Sequence, residues 1–151
     1  MADLGTHSGS RAVSGSMPAS PASGELDGAA ALAYDAFRAR HQSVYATFAA
    51  IRLPGHGCGD AAVRVAFAEI RDVWHATLRA ASPASVAWAL LNSVLDTHAA
   101  RVGAPTASPA VTVILCHQMG LTPGLAAEVM GVGLSEFTAR HRAESRSLHQ
   151  D

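Results

Sequence analysis

Lysine is missing from this 151-residue chain, cysteine occurs only twice, and aromatic residues make up 5% of it. Each scarcity excludes something. A phosphate-cradling glycine loop needs its lysine, so Gly55-His56-Gly57-Cys58-Gly59, which also lacks a preceding strand, is not one. Cys58 and Cys116 are too few for a disulfide framework, and no charged-then-apolar signal segment opens the chain. A reducing, cytoplasmic location is the expectation. No run approaches the roughly 18 apolar residues of a membrane span. The best, Val111 to Cys116, has the length of a core helix. With so few aromatics, alanine, valine and leucine must supply most of the burial, through helices that pack closely but shallowly.

What is present suffices for a core. Hydrophobic residues reach 49%, and 11 arginines against 12 acidic residues leave a net charge of -1. That balance denies the chain a global positive field, so any contact with nucleic acid must be local or delivered by a larger partner.

The first 28 residues, rich in Gly, Ser, Ala and Pro, bury too little to offset the entropy of ordering and are expected to be a disordered tail. Helix one is expected over 29–52, with Ala33, Phe37, Val44, Phe48 and Ile51 as its apolar stripe. Asp60 is placed to cap helix two, which carries Val63, Phe67, Ile70 and Trp74 and ends near Ala81. Ser82-Pro83 opens helix three, which runs to about Val102 with Val86, Leu90, Val94 and Leu95 inward. Residues 103–108 form the linker. Ser108-Pro109 opens helix four, Ala110 to Met119, and Thr122-Pro123 opens helix five, which Gly131 closes. Helix six follows from Leu134 to about Leu148. No useful strand alternation occurs, so the fold class is all-α: a three-helix bundle over 29–102 and a helix-turn-helix domain over 109–148.

The segment from Gly120 to Phe137 carries the functional signal. Two helices that cross closely need a small residue in the first, a glycine in the turn and apolar residues around it; Ala127, Gly131, Val132 and Phe137 stand there. Used on DNA, this motif sets the N-terminal residues of the second helix against base edges while arginines hold phosphates. Ser135 and Thr138 are the candidates for the bases, Arg140 and Arg142 for the phosphates, with Arg146 behind them.

This pattern resembles the extracytoplasmic-function sigma factors of bacterial RNA polymerase. Gly120-Leu121-Thr122, Ala127-Glu128, Met130-Gly131-Val132 and Arg140 follow the order of that family's promoter-reading region, sigma region 4. In the first half, Tyr34-Asp35-Ala36-Phe37 with Arg40-His41, the stretch from Asp60 to Phe67, and Asn92-Ser93-Val94-Leu95-Asp96 are similar to the polymerase-gripping sigma region 2. The resemblance covers about residues 30 to 148. It implies RNA polymerase core and promoter DNA as partners, with Arg64, Phe67, Arg71 and Trp74 facing the polymerase.

The chain departs from the pattern at Arg64-Val65, where the family has Gln-Glu, and at Thr138 and His141, where it has Lys and Leu. A second reading therefore stands beside the first: a sigma-like adaptor that binds a regulatory protein or a second copy of itself and does not read DNA. Leu125, Leu134 and His141 motivate it. Neither reading involves catalysis, a cofactor, a small-molecule substrate or a membrane. His56, Cys58, Cys116 and His117 match no closed metal-ligand spacing, and free cysteines are common core residues. Trp74 and Trp88 are expected as core or interface anchors.

Overall fold

The computed structural model describes residues 26–55, 57–104 and 110–150, and every regular element among them is helical. The expected tail up to residue 25, most of the linker and the Ser108-Pro109 cap lie outside the described residues. No described helix is long and apolar enough to cross a membrane.

Helix α1, Gly28–Arg52, starts where the Asp27 carboxylate accepts the Ala30 N–H at 2.8 Å. Leu53-Pro54 follows its end. Helix α2, Cys58–Asp72, begins two residues ahead of Asp60. Gly57, in the left-handed region at φ 75, makes the turn without a side-chain cap, and Asp60 sits in the first turn, where its charge favours the helix dipole. The expected single helix to Ala81 breaks at Val73, and a short α3, Trp74–Arg79, follows. The break lets the Trp74 indole settle on α1, where its Nε1–H donates to the Ala30 carbonyl at 2.9 Å. Helix α4, Pro83–Arg101, has the expected serine cap and first-turn proline.

The expected helix over 110–119 is also modified. Only Val111–Val113, here α5, is α-helical, and Ile114–Gln118 widens into a π-helical turn. Its five-residue closure, Met119 N–H to Ile114 O at 3.0 Å, accompanies burial of Thr112, Ile114 and Leu115 together. Helix α6, Pro123–Met130, is capped by Thr122, and α7 spans Leu134–Leu148.

One apolar cluster runs from Ala30 through Phe137 and joins both halves of the chain. Helices α1, α2 and α4 form the bundle, α6 lies against α4, and α7 packs on α5 and α6. The buried face of α1 shares only Phe48 with the stripe expected. Tyr34, His41, Tyr45, Phe48 and Ala49 are buried, whereas Ala33, Phe37, Val44 and Ile51 are partly covered flanks. Aromatic contacts knit this face to the bundle: Tyr34 against Trp74, Tyr45 against Phe67, and Phe48 against Trp88. Tyr34 also donates its O–H to the Phe67 carbonyl at 2.9 Å. The Tyr45 hydroxyl, by contrast, is buried with no hydrogen-bond partner among the described residues.

Candidate nucleic-acid interface

Helices α6 and α7 meet across a three-residue turn. Gly131 adopts φ 68, which brings its N–H to the Glu128 carbonyl at 3.1 Å and the Val132 N–H to the Ala127 carbonyl at 3.0 Å. These bonds satisfy carbonyls that the helix end would otherwise leave open. Ala126 and Ala127 are small enough to admit α7, whose Phe137 is fully enclosed. The four residues placed at this crossing by their spacing therefore occupy it.

Gly131 has a second task. A Cβ on it would stand 2.1 Å from the Ser85 nitrogen and 2.6 Å from Ser82 Oγ. The turn is thus pressed against the start of α4, and Ser82 Oγ donates to the Gly131 carbonyl at 2.9 Å while accepting from the Ser85 N–H. Exposed Arg40 of α1 also pairs with exposed Glu128 of α6. The helix-turn-helix is docked on the bundle by its turn and first helix.

Docking leaves the opposite face open. Leu134, Ser135 and Glu136 at the start of α7 are exposed, as are Thr122 to Leu125 at the start of α6. Arg142 and Arg146, four residues apart on the outer stripe of α7, make no ion pair among the described residues. Arg140 lies 3.6 Å from the Glu136 carboxylate one turn earlier. Thr138 is half-buried and donates its hydroxyl to the Leu134 carbonyl at 2.8 Å. Of the four expected DNA contacts, Ser135 and Arg142 stand free in solvent, while Thr138 and Arg140 are engaged within their own helix.

Glu144 pairs with no arginine among the described residues. Its carboxylate accepts the Thr112 N–H at 2.8 Å and the Thr112 hydroxyl at 2.6 Å, so it caps α5. His141 fits the same junction: with the Thr112 proton committed to Glu144, its Nδ1–H donates to Thr112 Oγ1 at 3.0 Å. The residue that looked out of place for a core is a tie between α5 and α7.

The expected polymerase-facing set divides. Arg64 and Arg71 are exposed on α2, but Phe67 and Trp74 are only 3% and 2% exposed and belong to the core. Presenting either would cost on the order of 1.5–3 kcal/mol of apolar burial, so neither serves as a contact. The Arg71 guanidinium lies 5.8 Å over the Tyr34 ring and that of Arg38 5.7 Å over Phe67, which fixes this face structurally. Among the described residues no three His, Cys, Asp or Glu side chains gather as a metal site; His56 lies outside them. Ser82, readable only as a cap, and the pairs Arg40 with Glu128 and Thr112 with Glu144 are the contacts that sequence reasoning missed.

Comparison of the chain with family models, with curated proteins and with solved structures finds no match.

Proposed function

We propose that this chain is a non-catalytic, sigma-like transcription regulator that meets promoter DNA through α7 while its helical bundle engages RNA polymerase. The observation that carries the reading is the division of the α6–α7 unit into a docked face and an open one. Gly131 and Phe137 are used for packing, whereas the first turns of both helices and the Ser135, Arg142, Arg146 stripe remain in solvent. A helix-turn-helix reaches a major groove with those parts. Arg142 and Arg146 are favoured over Arg140 as phosphate contacts, because the Glu136 carboxylate 3.6 Å from Arg140 offsets part of its charge.

The test is the salt dependence of binding to promoter DNA, measured by fluorescence anisotropy with and without core polymerase. Losing two phosphate contacts in Arg142→Ala/Arg146→Ala lowers the slope of log K against log salt by about 1.8. An unchanged slope and affinity would remove the DNA role.

A specific observation favours the adaptor reading as well. Leu125 and Leu134 are 52% and 56% exposed on the face a DNA reader would present, and no basic residue lies in the first turn of either helix. Such a face suits a protein partner or a second copy of the chain. Solution mass separates the readings: a dimer indifferent to polymerase, dissociated by Leu134→Ser, supports the adaptor.

A further inference from the structure

Two cavities, of about 430 Å³ and 220 Å³, flank the Arg40–Glu128 ion pair. Both are lined by Arg40, His41 and Glu128. The larger adds Ala36, Phe37 and Pro83, the smaller Val44, Leu121 and Val129. They form two ends of one trough between α1 on one side and α4 and α6 on the other. The ion pair spans it.

His41 gives this trough its chemistry. The residue is 6% exposed, yet it lines both cavities. Its Nδ1 lies 2.9 Å from the Phe37 carbonyl, which can only accept, so Nδ1 carries the proton. Burial holds the imidazole below its ordinary range, with Arg40 acting in the same sense against the Phe37 hydrogen bond, and the ring is therefore neutral at physiological pH. The other nitrogen, Nε2, then bears a lone pair. Among the described residues it makes no hydrogen bond, and the ring that carries it lines both cavities. A mainly apolar cleft with one acceptor on its wall and a second, the Glu128 carboxylate, at its rim is built for a molecule of complementary pattern.

We infer that the trough between α1, α4 and α6 is a binding site for a small, uncharged, mostly apolar molecule, aromatic or aliphatic, that donates one O–H or N–H to His41 Nε2. The apolar body lies against Phe37, Ala36 and Pro83. Entry parts Arg40 from Glu128, an exposed pair that costs little to open. Because Glu128 sits three residues before Gly131, occupancy acts on the helix that positions the turn. The site thus gives the α6–α7 unit a ligand-sensitive hinge side, and it stands whether or not that unit reads DNA.

The experiment titrates the full chain with phenol and, separately, with anisole, which keeps the ring and the oxygen but has no O–H, while histidine ring carbon–proton resonances are followed by NMR. Phenol is expected to shift the His41 signals and to bind about tenfold more tightly than anisole, the worth of one net hydrogen bond. In His41→Phe the two probes bind equally. In Ala36→Phe, which fills the larger cavity from an exposed helix position, neither binds, and this variant retains His41 as reporter. Equal affinities for phenol and anisole in the natural chain, His41 signals indifferent to phenol, or undiminished binding in Ala36→Phe would each overturn the assignment.

Discussion

Replacing Gly131 with alanine should damage this protein far more than the same change at its other turn glycines. At φ 68 an L side chain costs about 1–2 kcal/mol in any surroundings. Gly120, at φ 71, and Gly103, at φ 66, carry the same intrinsic penalty, but a Cβ added at either meets nothing within 4 Å. At Gly131 it would stand 2.1 Å from the Ser85 nitrogen and 2.7 Å from the Ala84 carbonyl carbon. Those are backbone atoms in the first turn of a 19-residue helix, and they cannot swing aside as a flexible side chain would.

Relief comes only by lifting the turn from α4. That movement breaks the Ser82–Gly131 hydrogen bond, worth about 1 kcal/mol, and loosens the packing of α6 on α4, worth about 1 kcal/mol if one methyl-sized gap opens along it. Gly131→Ala is therefore expected to lose about 3–4 kcal/mol, against about 1–2 kcal/mol for Gly120→Ala and Gly103→Ala. Urea unfolding followed by far-ultraviolet circular dichroism measures all three on one scale. If Gly131→Ala falls within about 1 kcal/mol of Gly120→Ala, the turn is not pressed against α4 and the docked arrangement is wrong.

Two further outcomes follow from the α1 core. Tyr45→Phe removes a hydroxyl that is desolvated without a partner, so stability should hold or rise by about 1 kcal/mol, and a loss of similar size in the same urea assay would mean that the hydroxyl has a partner. His41 sets an acid limit: its folded pKa lies below the unfolded value of 6.5, so below pH 6.5 the unfolded chain takes up the proton first. The stability this histidine supports is complete above pH 6.5 and declines as the pH falls, and thermal unfolding between pH 5 and 7.5 should show a shallower decline in His41→Phe.

The elements whose ends are written in local chemistry were legible from sequence. Ser82-Pro83 and Thr122-Pro123 start helices where a hydroxyl and a proline say they should, and Gly131 stops one where only glycine fits the backbone. The buried face of α1 was not, because Tyr34, His41 and Tyr45 carry polar tips that an apolar-periodicity argument discounts, although their rings are what the core uses. The break at Val73 and the π-helical turn were hidden for a related reason. Both adjust the helix to bury particular side chains, Trp74 in one case and Thr112 with Leu115 in the other. Trp74 was rightly a core anchor by size and wrongly a surface contact by analogy. The ties across the molecule, 49 residues apart from Ser82 to Gly131 and 32 from Thr112 to Glu144, arise only once the helices are packed and leave no local trace.

Electrostatics and docking together constrain how the proposed regulator would work. Two arginines on α7 with no ion pair among the described residues and a net charge of -1 supply few phosphate contacts beside the roughly 6–10 of a strong DNA binder. On its own, the chain would hold DNA weakly and lose it readily to salt. Under that proposal a partner would have to deliver α7 to the duplex, and the docked turn would make that possible. With Gly131 fixed on α4, whatever grips the exposed arginines of α2 also fixes the position of Ser135, Arg142 and Arg146. Association through the bundle converts the second encounter into an intramolecular one, so modest contacts on α7 suffice once the bundle is bound. The gain exists only while the two parts form one rigid unit. A Gly131 variant that undocks the turn should accordingly lose more DNA affinity in the presence of polymerase than in its absence, whereas equal losses would mean that the bundle does not position α7.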